Sequence, residues 1–317
     1  MTVNLTDPIF TDEAKALAYF EAARWPDGVF CPHCGNDNAT RIYAITANVE
    51  HGVREGLREC QDCHGQFTVR TGGIMESSHL PLTKWALAYR LMASAKKGIS
   101  AHQLGRTIGV SYKTAWFLCH RIRESMRDTD TSPLGSGGGT VEVDETYVGG
   151  KPRPRSGKSG GTGRGTKKVP VVALVERYGR ARAHVVSDVT AKTLRETMKK
   201  NIDKGARLMT DDFAPYRWIG GEFERGHGIV HHGRHEYAQG DTHSNTVESF
   251  FALLKRGVYG SFHHVSKEHL DRYCDEFAFR WSNRGMDDTE RTLEAIKGGD
   301  GKRLTYRPAH TATSPEA

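Results

Sequence analysis

Apolar and polar residues follow two different patterns along the 317-residue chain. Some stretches repeat apolar residues every three or four positions, which is typical of helices, and others alternate or form short apolar runs typical of strands. The predicted elements are, in chain order, a helix over 12–24, strands over 40–47 and ending near 67, helices from 82, from 100 and over 111–126, strands over 141–148, 169–177 and 182–186, a helix over 190–202, a strand over 207–210, a short helix near 215–219, a strand near 229–232 and a helix from 242. The order after residue 140 predicts an α/β fold around one central sheet.

The segment Thr242–Gly257 predicts an amphipathic helix. Its apolar positions, spaced i, i+3, i+4, i+7 and i+11, are Val247, Phe250, Phe251, Leu254 and Val258. Ser244 or Asn245 is the expected N-cap, which leaves Glu248 in or near the first turn. Because seven positions return a helix to nearly the same side, Glu248 and Lys255 share a face, roughly 10 Å apart along the axis. Taken alone, this pattern favours an ordinary surface helix with solvated charges.

A second acidic segment is the strand-like run Val141–Val148. Successive side chains of a strand point to opposite faces of a sheet. Asp144 is therefore expected on the same face as Glu142 and Thr146, and Glu145 on the opposite face.

A third acid directly follows a predicted strand, at Asp211 or its neighbour Asp212. A sheet could bring Asp144, Asp211 and Glu248 together, but three close carboxylates repel one another and burial raises their pKa values. Two Mg²⁺ (or Mn²⁺) ions roughly 4 Å apart would relieve this repulsion and clamp the attacking and leaving oxygens of a phosphodiester displacement. In that arrangement Lys255 would hold a phosphate beside the scissile one.

Four of the six cysteines form two CxxC motifs, Cys31–Cys34 and Cys60–Cys63, separated by a strand-prone segment. This layout is typical of a zinc ribbon, in which four thiolates hold one structural Zn²⁺ in closed tetrahedral coordination. Such an ion contributes on the order of 10 kcal/mol to the folding of a small module. His33 and His64 lie in or beside the motifs and are rival ligands, although four cysteines suffice.

The segment from Ile99 to Trp116 predicts a helix-turn-helix, with Ser100 capping the first helix, Gly109 in the turn and Ser111 starting the second. The second helix is expected to expose a basic side, made of Lys113, His120, Arg121, Arg123 and Arg127. That charge favours a DNA-reading helix. The alternative is a three-helix packing unit without DNA contacts.

The charge balance is basic, at net +7, which favours a polyanionic partner. The segment 149–168 has no acidic residue and seven cations, which are Lys151, Arg153, Arg155, Lys158, Arg164, Lys167 and Lys168. Either a solvated linker or an arm that grips nucleic acid fits this composition. No run of 18 apolar residues is present, so we expect no membrane association and a cytoplasmic, nucleoid-associated protein.

Histidines are frequent between residues 227 and 243, where they stand at 227, 231, 232, 235 and 243. Their irregular spacing argues against a second zinc site and favours contacts with DNA or solvent. Cys119 and Cys274 lie on predicted helices and are interpreted as small packing residues.

Together these motifs resemble the ISXO-like insertion-sequence transposases, which are DDE enzymes with an RNase H-like catalytic domain. The likeness covers about residues 25–290 and includes VEVDETYVGGK, LMTDDFAPY and the block that begins HSNTVESFFALLKRG. By position it implies that Asp144, Asp211 and Glu248 are the catalytic, magnesium-binding acids, with Lys255 as the trailing lysine. It also favours Asp211 over Asp212. Some relatives are described with asparagine at the third position, where this chain has glutamate.

The resemblance predicts an α/β protein in which a zinc ribbon and a helix-turn-helix domain precede an RNase H-like catalytic domain. The expected divisions are residues 1–75 for an N-terminal helix and the ribbon, 76–128 for the helix-turn-helix, 129–140 for a linker, 141–297 for the catalytic domain and 298–317 for a tail.

The expected activity is that of a DNA transposase, which binds transposon ends as a homo-oligomer on double-stranded DNA, cleaves a strand and joins it to target DNA. The residues expected to bind DNA are Lys113, Arg121, Arg123, Lys151, Lys167, Lys168, Asn245 and Arg256. The alternatives are a transposase-derived DNA-binding regulator without catalysis and an RNase H-like, structure-selective nuclease.

Overall fold

The computed structural model describes residues 3–48, 50–149, 168–231 and 238–305. Its elements are, in chain order, α1 (Glu13–Arg24), β1 (Ile42–Ala44), β2 (Arg58–Cys60), β3 (Gln66–Phe67), α2 (Leu82–Ser94), α3 (Ala101–Ile108), α4 (Tyr112–Ser125), β4 (Thr140–Val148), β5 (Val169–Glu176), β6 (Ala181–Val185), α5 (Ala191–Asn201), β7 (Arg207–Asp211), α6 (Ala214–Gly220), β8 (His227–Val230), β9 (Ala238–Gln239), β10 (Thr242–His243), α7 (Asn245–Gly257), α8 (Leu270–Ser282) and α9 (Asp288–Lys297). None of the helices in these ranges is long and apolar enough to cross a membrane.

Contacts divide the chain into two compact units, and neither unit is a continuous stretch of sequence. The first unit comprises Met1–Ser94, Ala101–Met126 and Asp287–Ala317. The second comprises Ala95–Ser100 and Arg127–Met286. The connection between α2 and α3 therefore groups with the second unit.

The first unit contains the small ribbon sheet, in which β1, β2 and β3 pair antiparallel in that order. Asp12 caps α1 by accepting hydrogen bonds from the backbone N–H groups of Ala14 and Lys15. Helix α9 packs against α1, α2 and α4. The sequence placed residues 287–297 with the catalytic domain, and the structure differs because the apolar side of α9 packs on these helices of the first unit.

Helices α3 and α4 form the predicted pair. Gly109 ends α3 with a φ of +66°, a conformation that glycine adopts without strain. The Ser111 hydroxyl accepts a hydrogen bond from the Thr114 N–H, so it caps α4 as expected. Helix α4 contacts α2, α3 and α9, which leaves few of its positions exposed.

A five-stranded sheet forms the centre of the second unit, in the order β6-β5-β4-β7-β8. Strands β4, β5 and β6 are mutually antiparallel neighbours, whereas β7 pairs parallel to β4 and β8 pairs parallel to β7. One face of the sheet carries a core shared with α5 and α6, and the opposite face carries a core shared with α7 and α8. The mixed α/β architecture with a separate small ribbon confirms the coarse fold expected from the sequence.

Candidate active site

Asp144 and Asp211 lie on neighbouring parallel strands. The register of β4 and β7 pairs Glu142 with Met209, and two residues further along both strands are Asp144 and Asp211. Since adjacent strands lie about 4.8 Å apart and side chains repeat every second residue, the two acids share one edge and one face of the sheet. The next residue, Asp212, has its Oδ2 3.5 Å from His231 Nδ1.

Glu142 fixes the start of α7 over this face. Its carboxylate is completely buried and accepts hydrogen bonds from Thr246 N (2.7 Å), Thr246 Oγ1 (2.8 Å) and Val247 N (3.0 Å). Ser244 occupies the N-cap position but makes no side-chain cap hydrogen bond. A carboxylate from β4 thus satisfies the free N–H groups that open the helix, where the helix dipole also favours negative charge.

Arg177 completes the buried anchor. Its Nε donates to Glu142 Oε1 over 2.6 Å, and its two Nη groups donate to the carbonyl oxygens of Asp241 (2.8 Å) and His243 (2.9 Å). His243 Nδ1 lies 3.2 Å from the same Oε1. Arg177 therefore ties the chain entering α7 to the carboxylate that caps it.

Val247 has the last N–H group that Glu142 caps, and Glu248 is the next residue of α7. The contacts of Glu142 therefore also fix the position of Glu248. The Ser244 hydroxyl donates to Glu248 Oε1 over 2.9 Å. Burial first, and then the carboxyls of Asp211, Glu145 and Glu248, raise the pKa of Asp144 to about 7. The fold therefore places Asp211 and Glu248 near enough to Asp144 for their charges to raise its pKa.

Glu145 lies on the opposite face of β4, as the alternation predicts. Its Oε2 accepts a hydrogen bond of 2.8 Å from the buried hydroxyl of Tyr216, a member of the core on the α5 and α6 side. Burial and the nearby Glu145 raise the pKa of Tyr216 well above its usual value.

The opposite end of α7 is basic and exposed. Lys255 and Arg256 lie in its last turn, and both line an open cleft of about 580 Å³. Lys255 Nζ lies 5.9 Å from the ring centre of Phe251. The cleft also contains Lys97, which the sequence did not single out because it lies about 160 positions from Lys255.

The four paired cysteines form a compact sulfur cluster in the first unit. The Sγ atoms of Cys31 and Cys63 lie 3.7 Å apart, as do those of Cys34 and Cys60. Four thiolates about 2.3 Å from one tetrahedral Zn²⁺ would be separated by about 3.8 Å, so this cluster fits a structural zinc ion. Among the described residues it is the one group of three or more potential ligands whose ligand atoms all lie within 4.8 Å.

The rival ligand His33 contacts Gln66 instead, with its Nε2 3.1 Å from the backbone carbonyl oxygen. The side-chain amide of Asn36 donates to Cys60 Sγ over 3.4 Å, and this bond, together with backbone hydrogen bonds from Cys63 and Asp62, lowers the pKa of Cys60 to about 6. A polar donor to a ligand sulfur is the kind of support that stabilises a thiolate at a zinc site.

Arg121 and Arg123, which the sequence placed on an exposed basic side of α4, are buried, so the expected exposure of these two arginines is wrong. Arg121 and Arg123 are only 6% and 2% exposed. The Arg121 guanidinium donates to the Glu76 carbonyl oxygen and lies 5.5 Å from the ring centre of Trp85. Helical spacing gave the wrong side because α4 is packed by neighbours on several sides, and the long arginine side chains cover apolar surface there.

The other predicted DNA contacts fall into two groups. Lys113, Asn245 and Arg256 are exposed, and Lys168 is half-buried next to the start of β5. Lys151 and Lys167, with most of the 149–168 segment, lie outside the described residues.

The histidines that the structure describes near the sheet each contact a different group. Nε2 of His227 lies 2.8 Å from Thr210 Oγ1, whereas His231 faces Asp212 and His243 faces Glu142. His232 and His235 lie outside the described residues.

Comparison with solved structures gives weak overlaps with complexes of the Mos1 transposase. The crystal structure of the Mos1 strand transfer complex is 11% identical, covers 69% of this chain and 79% of that chain, and has a TM-score of 0.29. The Mos1 paired-end complex with the left transposon end is 12% identical, covers 69% and 80%, and has a TM-score of 0.28. Overlaps this weak do not establish a common fold.

Sequence comparison is more decisive. The family model of the ISXO2-like transposase domain matches residues 137–282, and that of the transposase zinc-ribbon domain matches residues 11–66. An uncharacterized protein in the transposable element ISH50 of Halobacterium salinarum is 31% identical over 283 residues, which are 86% of this chain and 91% of that protein. The chain belongs to the ISXO2-like transposases, the family that its motifs resemble.

Proposed function

We propose that this transposase cleaves a DNA strand at the ends of an insertion sequence and joins it to target DNA, with Asp144, Asp211 and Glu248 as its catalytic acids. The observation that carries the proposal is that Asp144 and Asp211 each lie two residues beyond the last paired residues of β4 and β7, Glu142 and Met209, and that Glu142 caps the start of α7. The order of three antiparallel strands followed by two parallel strands supports an RNase H-like catalytic domain.

The donor set fits hard divalent cations. The three acids offer carboxylate oxygens, which suit Mg²⁺ or Mn²⁺, and the raised pKa of Asp144 reflects burial first and then neighbouring negative charge, which a cation would neutralise. When bound, two such ions would promote attack by water on the phosphodiester at the transposon end, which frees a 3′-OH group. They would then promote attack by this 3′-OH on a phosphodiester of the target DNA. Lys255 holds a phosphate next to the scissile one, and Glu142 keeps Glu248 in register with Asp144 by anchoring α7.

Recognition of the transposon ends is assigned to the first unit. The zinc ribbon and the α3–α4 pair, acting as a helix-turn-helix, bind double-stranded DNA. Exposed polar residues on this pair, including His102, Arg106 and Lys113, are available for phosphate or base contacts. Lys151, Lys167, Lys168, Asn245 and Arg256 contact DNA along the catalytic unit, and a homo-oligomer pairs the two ends in the nucleoid.

The proposal is tested with a labelled end duplex, a target plasmid and Mg²⁺. Asp144→Asn, Asp211→Asn and Glu248→Gln should each lower cleavage by several orders of magnitude while end binding persists. Two matched controls, Asp212→Asn and Glu145→Gln, carry the same changes on neighbouring acids and should keep most of the activity.

Three results would contradict the proposal in different ways. Normal cleavage by the three acid variants would remove them from catalysis. End binding without any cleavage by the wild-type protein would indicate a regulator. Cutting at DNA junctions without joined product would indicate a structure-selective nuclease.

A further inference from the structure

The basic cleft at the end of α7 contains three cations from two distant parts of the sequence. Its lining residues are Lys97, Lys255, Arg256, Tyr259, Gly260 and Ser261. None of these six is acidic, and the three cationic side chains are exposed. The cleft therefore offers concentrated positive charge together with two hydroxyl groups.

Lys97 is held in this cleft by the segment on which it lies. The α2–α3 connection, Ala95–Ser100, groups with the second unit. The buried guanidinium of Arg280 donates a hydrogen bond to the carbonyl oxygen of Ala95. This bond fixes the connection two residues before Lys97.

On the other side of Lys97, Gly98 seats the connection against Phe262. Gly98 has a φ of +80°, and a Cβ added there would lie 2.5 Å from Cζ of Phe262, closer than van der Waals contact allows. Phe262 ends the π-helical turn Val258–Phe262 that follows α7. Any other residue at this position would strain the backbone and push the Phe262 ring away, so Gly98 keeps the backbone directly after Lys97 close to Phe262.

The chemistry of the cleft matches a phosphodiester backbone. Lysine and arginine side chains, hydroxyl groups and a glycine that permits close approach are the groups that most often contact DNA phosphates. Tyr259 is 47% exposed and presents an aromatic surface beside the cations. Lys255 shares a helix face with Glu248, so a strand that crosses the acids can continue into the cleft.

We propose that this cleft binds the DNA backbone next to the scissile phosphate, and that Lys97 is a DNA contact of the catalytic unit together with Lys255 and Arg256. The inference rests on the proposed function, because it takes the DNA strand at the three acids as the occupant. It adds a residue from the α2–α3 connection to the substrate-binding surface.

The test compares Lys97→Gln with Lys96→Gln, a matched control on the adjacent exposed lysine that does not line the cleft. Binding of zinc-loaded protein to a fluorescent end duplex is measured by anisotropy between 0.05 and 0.5 M salt, without magnesium. Neutralising one phosphate contributes about 0.9 to the slope of log K against log salt. Lys97→Gln should reduce the slope by about 0.9 and the affinity about eightfold at 0.1 M salt.

Lys96→Gln should leave the slope and the affinity close to wild type, and Lys97→Arg should restore most of the loss. Equal slopes for Lys97→Gln and wild type, in a protein that still cleaves ends, would overturn the inference and leave the proposed function standing. Failure of the wild-type protein both to bind and to cleave would instead reject the proposed function. Matching far-UV circular dichroism melts exclude misfolding as the cause of a loss.

Discussion

Replacement of Glu142 by glutamine tests how the start of α7 is anchored. The change preserves the shape of the side chain but replaces one carboxylate oxygen with an NH₂ group. In the wild-type protein Oε2 accepts from Thr246 N and Val247 N, and Oε1 accepts from Thr246 Oγ1 and Arg177 Nε. On the Oε2 side the NH₂ group would face the N–H groups of Thr246 and Val247, and on the Oε1 side it would face Arg177 Nε–H, so in either orientation it meets an N–H donor from which it cannot accept.

The magnitude follows from these contacts. At least one hydrogen bond from an N–H donor is lost, and each hydrogen bond to a charged group contributes about 1.5–3 kcal/mol; removal of one partner of a buried ion pair costs about 3–5 kcal/mol. These estimates describe the same contacts and do not add. We therefore expect the free energy of unfolding of the second unit to fall by about 3–5 kcal/mol.

The assay is hydrogen exchange measured by mass spectrometry on peptides that cover the start of α7. The amides of Thr246 and Val247 should exchange much faster in Glu142→Gln, because their acceptor is lost, while peptides from the first unit remain unchanged. Urea unfolding measures the global effect. Glu145→Gln is the matched control on the same strand, where the hydroxyl of Tyr216 is a neutral donor and the expected cost is about 0.5–1.5 kcal/mol.

Unchanged protection at residues 246 and 247, or a Glu142→Gln variant as stable as Glu145→Gln, would refute this account of the anchor. If the account holds, the same variant should bind transposon ends with near wild-type affinity and cleave them poorly. In the proposed function, binding draws on the first unit and on cations distant from the start of α7, whereas cleavage depends on the position of Glu248 near Asp144.

Three further predictions concern other parts of the chain. Cys31→Ser or Cys60→Ser should abolish stoichiometric zinc binding, measured by inductively coupled plasma mass spectrometry. His33→Ala should retain zinc, since the His33 ring contacts a backbone carbonyl oxygen. A full zinc content in either cysteine variant would rule out the proposed zinc site. Without magnesium, the pKa of Asp144 is about 7 in the folded state and about 3.9 unfolded. Between these two pH values the folded state binds more protons than the unfolded state. The free energy of unfolding should therefore fall as pH rises from about 4 to 7 and level off above pH 7. Asp144→Asn should remove most of this pH dependence, measured by urea unfolding at several pH values. Arg121→Gln should lower the melting temperature, because the guanidinium packs on Trp85. It should change the salt dependence of DNA binding little. A fall of about 0.9 in the slope of log K against log salt would instead show that Arg121 contacts a DNA phosphate.

The sequence predicted best what depends on local pattern. The ribbon cysteines, the capping by Ser111 and the alternation that separates Glu142 from Glu145 follow from spacing and strand geometry, and the structure agrees with each. The convergence of Asp144 with Asp211 needed the added expectation of one central sheet, which came from the order of predicted strands and helices after residue 140.

Relations between distant segments could not be read from the pattern. Glu142 was expected on the face of Asp144, but its role as a helix cap depends on Thr246, which lies 104 residues away. The same limit explains the errors at Arg121 and Arg123, since helical spacing gives a polar side without showing which neighbours cover it. It also explains why Lys97 was missed, because its position depends on Phe262 and Arg280.

The interleaving of the two units restricts how this protein can be divided for experiments. A fragment that begins at residue 127 would lack Ala95–Ser100 and leave Phe262 and Arg280 without the backbone they contact. A fragment that ends at residue 126 would lack α9, against which α1, α2 and α4 pack. Dividing the chain at one point therefore removes packing contacts from both fragments. A stable fragment of the second unit would need residues 95–100 attached through a designed loop.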